Sequence, residues 1–372
     1  MTPRLLSLLF IATLAFAVVA CSGSSANVPA TPTPLLSPGE AGNAPTPLPS
    51  DDFMVRRPLN RVGIGDVGRA FARYQGTRGD LIGLFKQQDW YKDGITRDEA
   101  LFIERTLSFV ARYPGSYTDS VSDETIKRKL YIYQKVKLSQ GEIEMMLVYE
   151  PGQDGPKEMS YLTASLPLIE SMAGVQFPEK VLYVINGDFP INDYNDGQFI
   201  RIARCCVVNA FVLGHEMSHS YWSVGPSWFN EGLADIYATL VQQRLSFEAP
   251  EGWRIATPNL DAFYADRKRA ASRFPNKLLD LRVAEDGLYE AADVFLLDIR
   301  RQIGEEAFAL ALRDLYLASD FGRYMLRDKR IEDTFLEYTP VADQAKVMAM
   351  FNASIWGDNG EQYKKLKELD SP

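Results

Sequence analysis

Two neighbouring stretches of the chain alternate apolar and polar residues with a period of two. Leu130-Tyr131-Ile132-Tyr133-Gln134-Lys135-Val136-Lys137-Leu138 and Glu142-Ile143-Glu144-Met145-Met146-Leu147-Val148-Tyr149-Glu150, separated by Ser139-Gln140-Gly141, predict two strands joined in a hairpin. After Pro151-Gly152 the spacing changes to that of a helix over about 159–172, and apolar strands are expected at 180–185 and 197–204. Upstream, 80–88 and 98–112 carry apolar residues three and four apart, with Thr96 and Asp98 as capping candidates. That makes 53–116 a helical accessory region for packing or partner binding. Beyond 205 the pattern is mostly helical. The order is therefore a β-rich subdomain over 117–204, then a helical subdomain over 205–372, which is an α+β arrangement with a small mixed sheet.

The first helix after the sheet carries the chemistry. Val207, Phe211, His215, His219 and Trp222 recur at helical spacing along one side. The chain has two histidines in 372 residues, and both lie in His215-Glu216-Met217-Ser218-His219. Residues four apart share a helix face, so both imidazoles can converge on one metal ion, with Glu216 within reach of a water on that ion. This H-E-x-x-H spacing is the signature of zinc hydrolases in which the glutamate is the general base. Two core histidines satisfied by hydrogen bonds are the alternative, but each buried imidazole then needs its own partners, which a shared metal would supply.

Composition changes the picture at the N-terminus. Arg4, the apolar run 5–20 and the small-residue string Val18-Val19-Ala20-Cys21 resemble a bacterial lipoprotein signal, 1–20, with Cys21 as the lipidated first residue of the mature chain. The run is short for a bilayer, which needs about 20 apolar residues. An uncleaved apolar anchor would also leave the rest outside the cytoplasm. From 21 to 52 the chain is rich in Ser, Thr and Pro, as in Thr31-Pro32-Thr33-Pro34, and reads as a flexible tether. The expected location is the bacterial cell envelope, lipid-anchored and facing outside the cytoplasm, with the membrane as a partner through Cys21. Net charge is −9, and −10 once Arg4 is lost with the leader, which argues against nucleic acid as a partner. The remaining cysteines, Cys205 and Cys206, are adjacent, a poor geometry for a disulfide. Two buried thiols are expected there.

Downstream of the histidines lies Pro226-Ser227-Trp228-Phe229-Asn230-Glu231-Gly232-Leu233-Ala234-Asp235, a helix start with Ser227 as the expected cap. Asn230-Glu231-x-x-x-Asp235 resembles the thermolysin-like pattern, and 228–234 resembles the W-L-N-E-G-F-A string of the gluzincin aminopeptidases. Phe177-Pro178-x-x-Val181-Leu182-Tyr183-Val184 is similar to a strand of the gluzincin sheet, and Tyr289-Glu290-Ala291-Ala292-Asp293, with Gly304 and Phe308, to the later Y-E-K-G region. The similarity runs over about 157–350.

The resemblance implies a gluzincin, thermolysin-like catalytic domain with the active helix between sheet and helical subdomain. It implies Zn2+ held by His215, His219 and Glu231, Glu216 as catalytic base, Tyr289 on the oxyanion, Asn230 and Asp235 contacting the ligand side chains, and a peptide or protein substrate. Two departures matter. The His219 to Glu231 spacing is shorter than in the aminopeptidases, and Asn195-Asp196-Gly197-Gln198-Phe199-Ile200 lacks their G-x-M-E-N string, whose glutamate holds a substrate amine. An endopeptidase is therefore expected over an aminopeptidase, with substrate lying along an edge strand near 197–202. The alternatives are an inactive gluzincin-like lipoprotein that binds without cutting, and a structural zinc site in an unrelated helical protein.

Overall fold

The computed structural model describes residues 130–139, 141–187, 194–195, 199–203, 210–248, 259–274, 278–279 and 287–357. The leader, Cys21, the tether, the region 53–116 and the pair Cys205 and Cys206 lie outside the described residues. Among those that are described, no helix is long and apolar enough to cross a membrane.

The period-two stretches form β1 (Leu130–Leu138) and β2 (Gly141–Tyr149), an antiparallel hairpin with Leu130 opposite Tyr149 and Leu138 opposite Gly141. The run Met145, Met146, Leu147 and Val148 is buried on both faces of the sheet, as an inner strand requires. Helix α1 (Gly155–Ala173) then crosses over to β3 (Val181–Gly187), which pairs with β2 in parallel. Asp154 caps α1 by accepting from the Lys157 N–H, and Gly174 ends it in the left-handed conformation at φ 63°. Near its end the buried Glu170 accepts from the backbone N–H groups of Ser139 and Phe177, tying the hairpin turn to the approach to β3.

β3 pairs in parallel with β5 (Phe199–Ala203), and β5 pairs antiparallel with the two-residue β4 (Tyr194–Asn195). The sheet order is β1-β2-β3-β5-β4, a mixed five-stranded sheet. The edge strand expected near 197–202 is not free at its centre, because Asn195 and Tyr194 lie opposite Ile200 and Arg201. A two-residue strand has no periodicity by which the sequence could announce it.

Helices follow: α2 (Ala210–Ser218), α3 (Ser227–Glu248), α4 (Leu260–Ala271), α5 (Leu288–Ile303), α6 (Glu305–Ala318), α7 (Asp328–Glu337) and α8 (Gln344–Phe351). One hydrophobic core runs from Val136 and Leu147 of the sheet, through Leu162 of α1 and Met217 of α2, to Phe295, Phe335 and Phe351. Each fully buried Leu or Phe of this core contributes about 1.5–3 kcal/mol.

Candidate metal centre

Close packing of three helices builds the site. A Cβ on Gly214, beside His215, would meet the Ala238 Cα at 3.2 Å, and one on Gly232, beside Glu231, would meet Leu296 Cδ1 at 2.8 Å and Ala292 Cβ at 3.2 Å. The two glycines therefore let α2 and α5 press directly against α3. The residues next to them face one another as a result.

Among the described residues, His215, His219 and Glu231 form a group of metal-ligating side chains. The two Nε2 atoms lie 3.1 Å apart, and Glu231 Oε2 lies 3.3 Å from His215 Nε2 and 3.4 Å from His219 Nε2. A tetrahedral zinc ion with bonds of about 2.0–2.1 Å sets its donor atoms about 3.3–3.4 Å apart. The three side chains are 14%, 11% and 22% exposed, so the group is not sealed in the core.

The far side of each ring fixes which nitrogen faces the cluster. His219 Nδ1 lies 2.9 Å from the Trp222 carbonyl, which can only accept, so Nδ1 carries a proton and, in the neutral ring, Nε2 carries the lone pair. His215 Nδ1 lies 2.7 Å from Asp235 Oδ1, and the same reasoning applies to a carboxylate. With both rings neutral, two lone pairs face each other at 3.1 Å beside a carboxylate oxygen, and a shared cation satisfies all three. The donor set fits zinc on its own chemistry.

The electrostatics agree. Burial lowers the affinity of His215 for a proton, yet hydrogen bonds to Asp235 and Glu231 outweigh it and hold its pKa well above the usual histidine value. Burial would raise Glu231, but the hydrogen bonds to His215 and His219 hold it far below the usual carboxylate range. Each group is thus set to favour a positive charge at the centre of the triangle. Glu216 is buried at 5% exposure beside His215, and its charge is felt by both His215 and Tyr289.

Tyr289 stands in the first turn of α5, half-buried, where its hydroxyl feels the charge of Glu231. Burial, followed by the charges of Glu231, Asp235 and Glu216, pushes its pKa up. The hydroxyl is kept as a proton donor.

Three sequence expectations change. The helix bearing the histidines does not reach Trp222: it ends at Ser218, although the His219 N–H still reaches the His215 carbonyl. Leaving the helix is what turns the Trp222 carbonyl back to His219. Ser227 is not the cap of α3, since the Pro226 carbonyl accepts from the Phe229 and Asn230 N–H groups and Ser227 is already helical. Asn230, expected to contact the ligand side chains, instead holds the loop before α3. Its Oδ1 accepts from the Val224 and Gly225 N–H groups, and its Nδ2 donates to the Gly225 carbonyl. Asp235 lies behind His215, on the Nδ1 side of its ring.

Sequence reasoning missed Arg267 altogether and quoted Asp293 without giving it a role. Arg267 of α4 lies 2.6 Å from Asp235 Oδ2 through Nη2 and 2.9 Å from Asp293 Oδ2 through Nε, with Nη1 3.8 Å from Glu290 Oε1. Asp293 is fully buried, and burial and the charge of Asp235 push its pKa well above the carboxylate range against the pull of Arg267. The only local signal for this set was acidic residues three apart at the start of α5.

No family model matches the chain, and no curated protein matches its sequence. Among solved structures, it is similar to an M1 zinc metallopeptidase of Deinococcus radiodurans, in a point-mutant form bound to a Tyr-Ser-Ala substrate. The identity is 14%, the TM-score 0.48, and the match covers 63% of this chain and 54% of that one. The unmutated enzyme from the same organism gives 14% identity, a TM-score of 0.47, and coverage of 63% and 53%. A two-domain M1 zinc metallopeptidase mutant bound to L-arginine gives 14%, 0.48, 63% and 54%. The chain spans about half the length of these enzymes.

Proposed function

We propose that the chain is a zinc metallopeptidase of the gluzincin kind, hydrolysing peptide bonds with His215, His219 and Glu231 as metal ligands. The observation that carries this reading is the triangle of donor atoms with separations of 3.1, 3.3 and 3.4 Å, each histidine turned so that its Nε2 faces inward. A structural zinc site would be closed by four protein ligands and would have no use for a buried acid in the position of Glu216.

Zinc held by His215, His219 and Glu231 would supply Lewis acidity and would bring the pKa of water at the site towards about 7. Glu216 receives the proton of the attacking water and passes it to the leaving amine. Tyr289 donates its hydroxyl to the carbonyl oxygen as negative charge develops there, which its raised pKa permits. Asp235 and the Trp222 carbonyl keep the Nδ1 protons in place, so both imidazoles stay turned toward the metal.

The substrate is a peptide or protein, and the absence of a G-x-M-E-N string near 195–200 favours internal cleavage over removal of N-terminal residues. Arg4, the apolar run and Cys21 favour a lipid-anchored enzyme at the cell envelope, with 21–52 as its tether. The test is Glu216→Gln in the full chain. The variant is expected to retain zinc and to lose cleavage of a mixed peptide library by at least about 100-fold. A zinc-loaded wild type that cuts no member of the library would instead favour a binding protein with a peptidase-like site.

A further inference from the structure

A carboxylate behind a metal-ligating histidine can orient the ring only if the carboxylate is itself held. An aspartate with one anchored oxygen still rotates about its last torsion, and the imidazole turns with it. Asp235 is anchored at both ends: Oδ1 faces His215 Nδ1 at 2.7 Å and Oδ2 faces Arg267 Nη2 at 2.6 Å. The guanidinium reaches two further acids, both on α5. Nε lies 2.9 Å from Asp293 Oδ2 and Nη1 3.8 Å from Glu290 Oε1, while Cζ sits 4.9 Å from the Phe263 ring centroid. One planar cation thus spans α3 and the first turns of α5, the helix that carries Tyr289 beside Glu290.

We propose that Arg267 is a positioning residue for the metal centre, clamping Asp235 behind His215 and fastening the Tyr289-bearing start of α5 to the helix that supplies Glu231. The inference rests on the reading of this site as a zinc centre. Three observations carry it. Asp235 and Asp293 are 2% and 0% exposed and come from different helices, so no water layer substitutes for the guanidinium between them. The three acids take separate nitrogens of Arg267, a division that a lysine ammonium, as a single point charge, cannot reproduce. His219 has no equivalent need, because its Nδ1 partner is a backbone carbonyl already fixed by the chain.

The test compares full-length wild type with Arg267→Gln, Arg267→Lys and the control Arg301→Gln. Arg301 pairs with Asp261 at 2.9 Å and lies over Tyr264, on the same pair of helices but away from Asp235. Zinc dissociation constants are read by competition with a chromophoric chelator, and the geometry of the site by the visible absorption of the cobalt-substituted protein. Arg267→Gln is expected to weaken zinc binding about 10–100-fold and to alter the cobalt bands. Arg267→Lys should fail to restore either, and Arg301→Gln should match wild type in both. Should Arg267→Gln not fold, Arg267→Lys carries the same comparison. Zinc affinity and cobalt bands that match wild type in the folded Arg267 variants overturn this role alone. A wild type that binds no zinc overturns the zinc-centre reading and this role with it.

Discussion

His215 and His219 stand four residues apart on one stretch of chain, and what lies behind them differs in kind. Behind His215 is a charged region assembled from three helices: Asp235 of α3, Arg267 of α4, and Glu290 and Asp293 of α5. Behind His219 is a short loop, 219–226, that presents the Trp222 carbonyl and is held by neutral hydrogen bonds. The loop is pinned again from below. The Leu326 N–H donates to the Val224 carbonyl, and just beyond the loop, in the first turn of α3, Trp228 Nε1 donates to Asp328 Oδ1 at the start of α7. One imidazole is aimed by paired charges, which are costly to bury and costly to break, and the other by backbone, which is cheap once the loop is closed.

The largest effect should come from breaking the charged side. Asp235→Ala leaves His215 Nδ1 without its acceptor and Arg267 with one fewer counter-charge, in a region that water reaches poorly. Chemical denaturation should show a loss of about 3 kcal/mol, and zinc affinity should fall about 10–100-fold. A stability loss without a change in zinc affinity would mean that the charged region supports the fold and not the metal.

Breaking the neutral side should cost less. Asn230→Ala removes three hydrogen bonds within the loop, about 2–3 kcal/mol at roughly 1 kcal/mol each. Because the Trp222 carbonyl is placed by backbone that remains, zinc affinity should fall by less than in Asp235→Ala. Isothermal titration of the two variants side by side measures the difference.

The smallest effect sharpens the contrast and has the opposite sign. Asp328, under the loop, is 3% exposed, and burial raises its pKa to about 6 despite the bond from Trp228. A carboxyl whose folded pKa lies above its unfolded value binds more protons when folded, so it lowers stability as pH rises. The penalty is absent below about pH 4, grows between about 4 and 6, and is complete above that, on the order of 3 kcal/mol. Asp328→Asn keeps an acceptor for Trp228 without the charge. Denaturation curves should show it stabilised by about 1–2 kcal/mol at pH 7.5 and indistinguishable from wild type below about pH 4.

The same contrast governs how much could be read from the sequence. The hairpin was legible because two nine-residue stretches rich in β-branched, aromatic and other apolar residues flank a short polar turn with a glycine. The shared helix face of His215 and His219, with Glu216 between them, was legible from spacing alone, whereas Glu231 and Asp235 entered through the resemblance of one short string. Tyr289 came only through a resemblance, since nothing in its local sequence points to a site 58 residues upstream. Arg267 was invisible. It lies 32 residues from Asp235 and 26 from Asp293, and an arginine at the head of the basic string Arg267-Lys268-Arg269 reads as a solvated surface residue until packing brings three acids around it. Asn230 was read for the wrong partner because its bonds go to backbone, and backbone groups carry no sequence signal. The two-residue β4 was missed for want of length, and the early end of α2 because Trp222 continues the helical spacing while the chain itself turns away.

The metal content of the full chain, purified without chelators and measured by elemental analysis, tests the central claim most directly. The account predicts about one zinc ion per chain, lost in a folded Glu231→Ala variant. A folded wild-type protein that carries no stoichiometric metal and takes up none on addition of zinc would contradict it.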